Sequence, residues 1–307
     1  MESIADFTIL PDRLRSAERV VTVAVACPAD SHTEEVIERS IAEHFARFTL
    51  VANVAKADIA RRLAADYPEK VTLIVADDDD DAARHAVAEV KEGRADVLMK
   101  GSLNTDNLLR AVLNKENGIL VKGSVLTHIA VADVPSLNHL LFFSDAAVIP
   151  YPTTEQFDAI TRYITDTYRS ITGDNRPRVA LIHCTEKVSE KFPLTLSYEE
   201  LKAKAAQGEY GAIEIGGPMD VKTACDAESG AIKGIASPVV GNANCLVFPD
   251  IEAGNTFYKT ITLFGNATVA GMLVGTTAPV VVTSRADTAD SKFYSLAVAC
   301  LKAINKQ

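Results

Sequence analysis

Apolar runs alternate along this chain with segments whose apolar residues recur every three or four positions. RVVTVAVACP (19–28) predicts a first strand. A helix follows over 34–48, with Ser31 and Thr33 as available caps and Val36, Ile37, Ile41 and Phe45 on one face. FTLVANV predicts a strand, and KADIARRLAADYP a helix stopped by Pro68. KVTLIVA is a third strand, followed by an Ala-rich helix ending near Gly93. ADVLMKG is a fourth strand that ends on a glycine. Strands and helices alternating at this spacing predict βαβ units and a parallel sheet.

A second group starts near Ser124. SVLTHIAVADV and HLLFFSDAAVIPYP predict consecutive strands around a polar turn at Ser136 and Asn138, a candidate antiparallel insertion. A helix over 154–171, the polar turn TGDNRP and the strand RVALIHC come next. YEELKAKAAQGEYG is helical, and NCLVFPD and PVVVTS are further buried strands. The last helix, 287–304, carries Phe293, Leu296, Ala297, Cys300, Leu301 and Ile304 at helical spacing, with no later partner of its own. It is expected to pack back on the first group. Residues 1–123 with 285–307 form one expected α/β domain, and 124–284 the other.

The chain has 307 residues, 48% of them apolar, enough for two cores. Its net charge of −10 argues against nucleic acid and anionic membranes as partners. No apolar run is long enough to span a bilayer, and the first residues lack the apolar centre of a secretion signal. Cys27, Cys184, Cys225, Cys245 and Cys300 are dispersed and odd in number. They form no CxxC pair, so free thiols in a reducing cytoplasm are expected. The run Asp77 to Asp81 reads as a solvated helix start, with a cation site as the weaker alternative.

Four segments put polar groups where strands should end, the side that faces ligands in open α/β folds. Lys100 and Gly101 close a strand, and Asn104 or Thr105 caps a helix that carries Arg110. This is either an ordinary βα loop or an anion site of backbone N–H groups and cations. Gly216, Gly217 and Pro218 predict a tight turn before a helix, with no dinucleotide or P-loop fingerprint. Asn242 precedes a strand, and Asp250 and Glu252 follow it, as an acid/base pair or as loop and cap residues. Ser284 and Arg285 end the last strand. Asp287 is available as an N-cap with Asp290 three residues on, whereas Arg285 calls for an anionic partner.

ADVLMKGSLNTDNLLRAVLNKENG, GPMDVKTACD, SPVVGNANCLVFPDIEAGNTFYKTITLFGNA and SRADTADSK together resemble the phosphate acetyltransferase and phosphate butyryltransferase family. The resemblance runs from about Val20 to the C-terminus and is carried most specifically by GNANCLVFPDIEAGN with the downstream Ser-Arg. It implies two three-layer α/β/α domains of the isocitrate/isopropylmalate dehydrogenase type with a cleft between them. It also implies the reaction acyl-CoA plus phosphate to acyl phosphate plus CoA, by direct attack in a ternary complex. Arg285 is thereby assigned to phosphate and transition-state charge, and Ser284 to a hydrogen bond with the thiol or oxyanion. The implied phosphate- and CoA-binding set is Lys100, Gly101, Thr105, Arg110, Asn242, Asp250, Glu252 and Lys292.

Acetyl-type members carry SRGCS and then an aspartate, taken as the base, at the start of the last helix. Here counting from Ser284 reaches Ser291, so the base falls to the neighbouring Asp290, with Asp287 as the alternative. The wording SRAD…SK and MKG is closer to the butyryl branch than to the acetyl branch. The expectations are therefore a cytoplasmic homodimer or larger homo-oligomer acting on butyryl-CoA, with phosphate acetyltransferase as the nearest alternative. CoA enters as substrate, with no resident cofactor and no metal. Two other classes remain beside this one: a metal- and NAD-dependent dehydrogenase of the same fold, and a non-catalytic acyl-CoA-binding protein.

Overall fold

A computed structural model describes residues 4–283 and 287–305. It divides into two compact units, one of Thr8–Leu126 with Ala270–Gln307, the other of Met1–Phe7 with Thr127–Val269. The returning segment thus begins at Ala270, ahead of the residue 285 expected from sequence. Ser284 and Arg285 lie outside the described residues.

The first unit opens with α1 (Leu10–Arg15), β1 (Val21–Ala26), α2 (Ser31–Ala42), β2 (Ala46–Asn53) and α3 (Asp58–Asp66). It continues through β3 (Val71–Ala76), α4 (Asp79–Lys91), β4 (Val97–Lys100) and α5 (Thr105–Val112). The second unit holds β5 (Thr127–Asp133), β6 (Leu141–Ser144), α6 (Thr154–Thr172), β7 (Arg178–Ile182) and α7 (Leu194–Ala206). β8 (Glu214–Met219), α8 (Val221–Cys225), α9 (Ala227–Lys233), β9 (Cys245–Val247) and α10 (Ile251–Phe264) complete it. The chain then returns through β10 (Thr268–Val274), β11 (Val280–Val281) and α11 (Ala289–Ile304).

In the first unit the strands lie in the order β3-β2-β1-β4-β11-β10, parallel except for the β10–β11 pair. The strands are apolar runs because helices cover both faces: Val23, Val25, Leu98, Val280 and Val281 are fully buried. The first connections run from β1 outward to β3, and the next returns to β4 on the other side of β1. Right-handed crossovers in opposite directions place α2 and α4 on opposite faces. β1 and β4 therefore flank the switch point, where the loops leaving adjacent strands part and a crevice opens at their carboxyl ends. α11 packs on α2, β4 and β11, with Phe293 edge-on to Phe45 at 5.8 Å. The last helix thus finds the partner that the pattern requires. α2 stops at Ala42, short of the expected 48, and His44 turns through φ 59° so that Ala46 can pair with Val21.

In the second unit the order is β5-β6-β9-β7-β8, with β5 antiparallel to β6 as expected and the rest parallel. Phe143, Leu246, Phe248 and Met219 meet Ala224, Phe257 and Ile261 on one face. Phe142 and Tyr168 of α6 meet on the other. The switch point falls between β7 and β9: α7, after β7, packs with α6, and α10, after β9, joins the opposite core. Gly216, Gly217 and Pro218 belong to β8 and not to a turn. β8 is bonded to β7 at the end of this unit's order, where proline is tolerated, and a Cβ on Gly216 would sit 2.2 Å from a Val239 methyl.

Candidate active site

The carboxyl ends of β1, β4 and β11 enclose a cavity of about 260 Å3 lined by Asp30, Ser31, His32, Lys100, Gly101, Ser102, Thr283 and Lys292. Three chain segments far apart in sequence build it. The loop after β1 supplies Asp30, which N-caps α2 by accepting from Thr33 N at 3.0 Å and Thr33 Oγ1 at 2.7 Å. The β4 loop is clamped to the end of β1: Gly101 N donates to Ala26 O and Ser102 N to Cys27 O, both at 2.8 Å. Only glycine fits at 101, because a Cβ there would sit 2.2 Å from Cys27 O. α11 supplies Lys292, whose ammonium lies 3.8 Å from Asp30 Oδ1.

Two cations reach this wall although both are almost fully buried. Lys100, 5% exposed, donates to Gly101 O and Leu103 O at 3.0 Å each, so it also braces its own loop. Lys292 is 6% exposed. Burial raises the Asp30 pKa, but the hydrogen bonds from Thr33 and the charge of Lys292 outweigh it and leave that carboxyl below its ordinary range. Two ammonium groups against one carboxylate, beside the start of α2, make a pocket suited to an anion. Thr283, the residue before the Ser284–Arg285 pair, is part of its wall.

In the other unit, a cavity of about 940 Å3 lies at the carboxyl ends of β7, β8 and β9. Ile182, Leu194, Val221, Phe248, Pro249 and Phe257 give it an apolar wall, and Asp220, Asp250 and Glu252 an acidic margin. Asp250 and Glu252 both carry structural duties. Asp250 N-caps α10 through Ala253 N at 2.7 Å, and Glu252 accepts from Tyr151 Oη at 2.7 Å, which lowers its pKa. Gly254 lets α10 approach the end of β6, since a Cβ would meet Asp145 O at 2.1 Å. His183 and Cys184 also line this cavity, with Sγ and Nδ1 3.7 Å apart, and burial lowers the His183 pKa.

Other sequence candidates fall elsewhere. Asp290 has a side chain that is 65% exposed and accepts from Arg39 Nη1 at 2.6 Å, outside the cavity that holds Lys292. The Arg39 guanidinium lies over the Phe293 ring at 3.7 Å, so this acid fastens α2 to α11 on the surface. The N-cap of α11 is Thr288, accepting from Ser291 N, and not Asp287. Asn242 is exposed just before β9, where its carbonyl accepts from Arg178 Nε at the start of β7. That is the amino end of these strands, opposite to the cavity. Arg110 is 70% exposed and 3.6 Å from Asp80, and Thr105 is the exposed first residue of α5. The five-Asp run behaves as the helix start it was expected to be. Asp78 caps α4, Asp79 accepts from Asn53 and Lys56, and Asp80 accepts from Asn107. Among the described residues no group of three or more His, Cys, Asp or Glu is placed to hold a metal ion.

Sequence reasoning missed Asp30, Ser31 and His32 as site residues. The available signal was ADSH following a buried strand, the same strand-mouth pattern that singled out Ser284 and Arg285.

The model of a family described as "Phosphate acetyl/butaryl transferase" matches residues 16–300. A phosphate butyryltransferase of Clostridium beijerinckii is 35% identical over 283 residues, 92% of each chain. A phosphate acetyltransferase of Rhizobium meliloti is 37% identical over 262 residues, 85% of this chain and 79% of that one. A crystal structure of a branched-chain phosphotransacylase from Enterococcus faecalis V583 superposes with a TM-score of 0.81 at 28% identity, covering 92% of this chain and 99% of that one. With its two α/β units and a match over nearly its whole length, the chain belongs to the phosphate acetyl/butyryl transferase family and is an acyltransferase.

Proposed function

We propose that the protein exchanges CoA for inorganic phosphate on a short-chain acyl group, butyryl in the first instance. A phosphate oxygen attacks the thioester carbonyl, a tetrahedral intermediate forms, and the C–S bond breaks to release CoA thiolate. The obstacle is electrostatic, because an anion must approach a carbonyl that itself becomes an oxyanion. Arg285 offsets that charge and Ser284 donates to the sulfur or the oxyanion, with Lys100, Gly101 and Lys292 completing the phosphate side. The observation that carries this reading is the cavity with two buried lysines whose lining includes Thr283, the residue that precedes the Ser-Arg signature in the sequence. The apolar cavity of the other unit supports an acyl substrate: its volume and aliphatic and aromatic wall suit the acyl–pantetheine end of an acyl-CoA. Asp250 and Glu252 belong to the substrate set on that account.

Butyryl over acetyl is favoured by the MKG and SRAD…SK wording; overall identity, 35% to the Clostridium butyryltransferase and 37% to the Rhizobium acetyltransferase, does not separate the two. Thiol release from a panel of acyl-CoAs, acetyl to valeryl, with and without phosphate, tests both points. Phosphate-dependent release with the highest kcat/KM on butyryl-CoA is expected. Release independent of phosphate would make the protein a thioesterase and refute the reading. The same reading makes it a cytoplasmic homo-oligomer, which light scattering on the purified chain checks. No helix among the described residues is long and apolar enough to cross a membrane.

A further inference from the structure

Cys184 stands apart from the other cysteines. Cys27, Cys245 and Cys300 are buried and Cys225 is half-buried, and burial pushes the Cys27 and Cys225 thiols up to about 11. Buried thiols of that kind are inert. Cys184 is the exposed one among the described residues, and it lines the cavity of about 940 Å3 at the carboxyl ends of β7, β8 and β9. Its neighbour His183 is held as a base. His183 N donates to Met219 O at 2.9 Å, and the ring lies edge-on to Phe192 at 5.0 Å. Thr185 N donates to Nδ1 at 3.2 Å, so the ring proton belongs on Nε2 and the Nδ1 lone pair faces Sγ at 3.7 Å. Burial lowers the His183 pKa, which keeps the imidazole neutral and free to take a proton. Ile182, Leu194 and Phe248 make the rest of the wall apolar, while Asp220, Asp250 and Glu252 give the margin negative charge. A thiol and its base in an apolar cavity of ligand size make a covalent site for a thiol on a neutral arm, and the acidic margin disfavours anionic thiols.

We propose that Cys184 is a modification site for oxidised CoA: its thiolate exchanges with the symmetrical disulfide of CoA and leaves an enzyme–CoA mixed disulfide that plugs the cavity. The Cys184 proton passes to His183 Nδ1 and the thiolate attacks one sulfur of the CoA disulfide. That S–S bond breaks and CoA thiolate leaves, so one disulfide forms for each one lost. The proposal goes beyond acyl transfer, but it rests on the reading that this cavity takes the pantetheine end of the substrate, an arm that is neutral and carries its phosphates at the far end. Turnover then falls as the CoA pool is oxidised, and free thiols restore it.

The purified protein is incubated with CoA disulfide, and separately with glutathione disulfide, and intact mass and peptide maps are read over time. A CoA adduct confined to Cys184 is expected, formed about tenfold or more faster than the glutathione adduct because the pantetheine arm positions its sulfur. Phosphate-dependent thiol release from butyryl-CoA falls in step with the adduct and returns after dithiothreitol and desalting. Butyryl-CoA added beforehand slows the labelling, a check that needs no variant. Cys184→Ser takes no adduct and loses no activity on exposure to CoA disulfide. A free thiol is only a few per cent thiolate at pH 7, so proton transfer to His183 gains up to about 30-fold, and His183→Gln slows the exchange by roughly tenfold.

Equal rates with the two disulfides and no protection by butyryl-CoA would mean an exposed thiol only, and would overturn the proposal. Labelling of another cysteine ahead of Cys184 would do the same. A protein that phosphorolyses no acyl-CoA yet takes CoA selectively on Cys184 would sink the acyl-transfer reading and uphold this site. Full phosphorolysis with no adduct would do the reverse.

Discussion

Gly101→Ala tests whether the β4 loop holds the small cavity in place. The new methyl would lie 2.2 Å from Cys27 O, 2.7 Å from Cys27 C and 2.8 Å from Ala26 O. All three are main-chain atoms, so no side chain can rotate away. Relief requires the end of β4 to move about 1 Å from β1, enough to spoil hydrogen bonds whose useful range ends near 3.2 Å. The bonds at risk are Gly101 N to Ala26 O and Ser102 N to Cys27 O, both at 2.8 Å. Overpacking costs about 1–3 kcal/mol and each weakened bond about 0.5–1.5 kcal/mol, so a total near 3 kcal/mol is expected. In a domain of this size that lowers Tm by roughly 6–12 °C. The same movement carries Gly101 O, an acceptor for Lys100, away from its place. The phosphate kcat/KM should therefore drop at least tenfold even where the variant is folded, since a displacement of about 1 Å can cost as much as a hundredfold. Differential scanning calorimetry and initial rates at varied phosphate check both. A Tm within about 2 °C of wild type together with an unchanged phosphate KM would show that the loop has slack, and the argument from close approach would fail.

Arg285→Ala should lower turnover by about two to four decades, the range for a lost charge-stabilising donor. A loss under about tenfold would remove Arg285 from the chemistry. Asp290→Asn should leave kcat and its pH profile unchanged, because the exposed carboxylate is paired with Arg39; Tm falls slightly, as for a surface ion pair of about 0–1 kcal/mol. An altered acid limb of the profile would restore Asp290 as the base. For pH dependence, burial opposes ionisation of Asp220, yet hydrogen bonds from Lys233 and Thr223 N bring its pKa down to about 2. A depressed carboxyl stabilises the fold above its unfolded pKa of about 4 and loses that contribution as pH falls toward 2. Acid titration of stability should thus be shallower in Asp220→Asn over that window, and identical slopes would refute the assignment.

The βαβ order was legible because buried parallel strands are nearly unbroken apolar runs. VTVAVA and VTLIVA announce β1 and β3 without any knowledge of their neighbours. The partner of α11 was also foreseeable, since Phe293, Leu296 and Cys300 form an apolar face that must be covered. Local rules failed where the deciding contact is distant. The segment GGP reads as a turn, yet it is strand because β7 pairs with it. The partner of Asp290 is equally out of local reach, since Arg39 lies 251 positions away. The cap of α11 is a different case, a one-residue local shift: Asp287 reads as the cap, yet Thr288 supplies the oxygen that meets Ser291 N.

The sequence by itself determined the class of fold, the alternation of elements and the family, because these follow from local periodicity and from contiguous motifs. Tertiary structure alone decided which polar residues share a cavity. Asp30, Lys100 and Lys292 meet only because β1, β4 and β11 lie in neighbouring register and α11 closes over their ends. It also separated Asn242 from Asp250, which a few residues of strand set at opposite ends of the sheet. Side-chain proximity depends on strand order and on the direction each chain leaves the sheet, and neither is written in the spacing of residues along the chain.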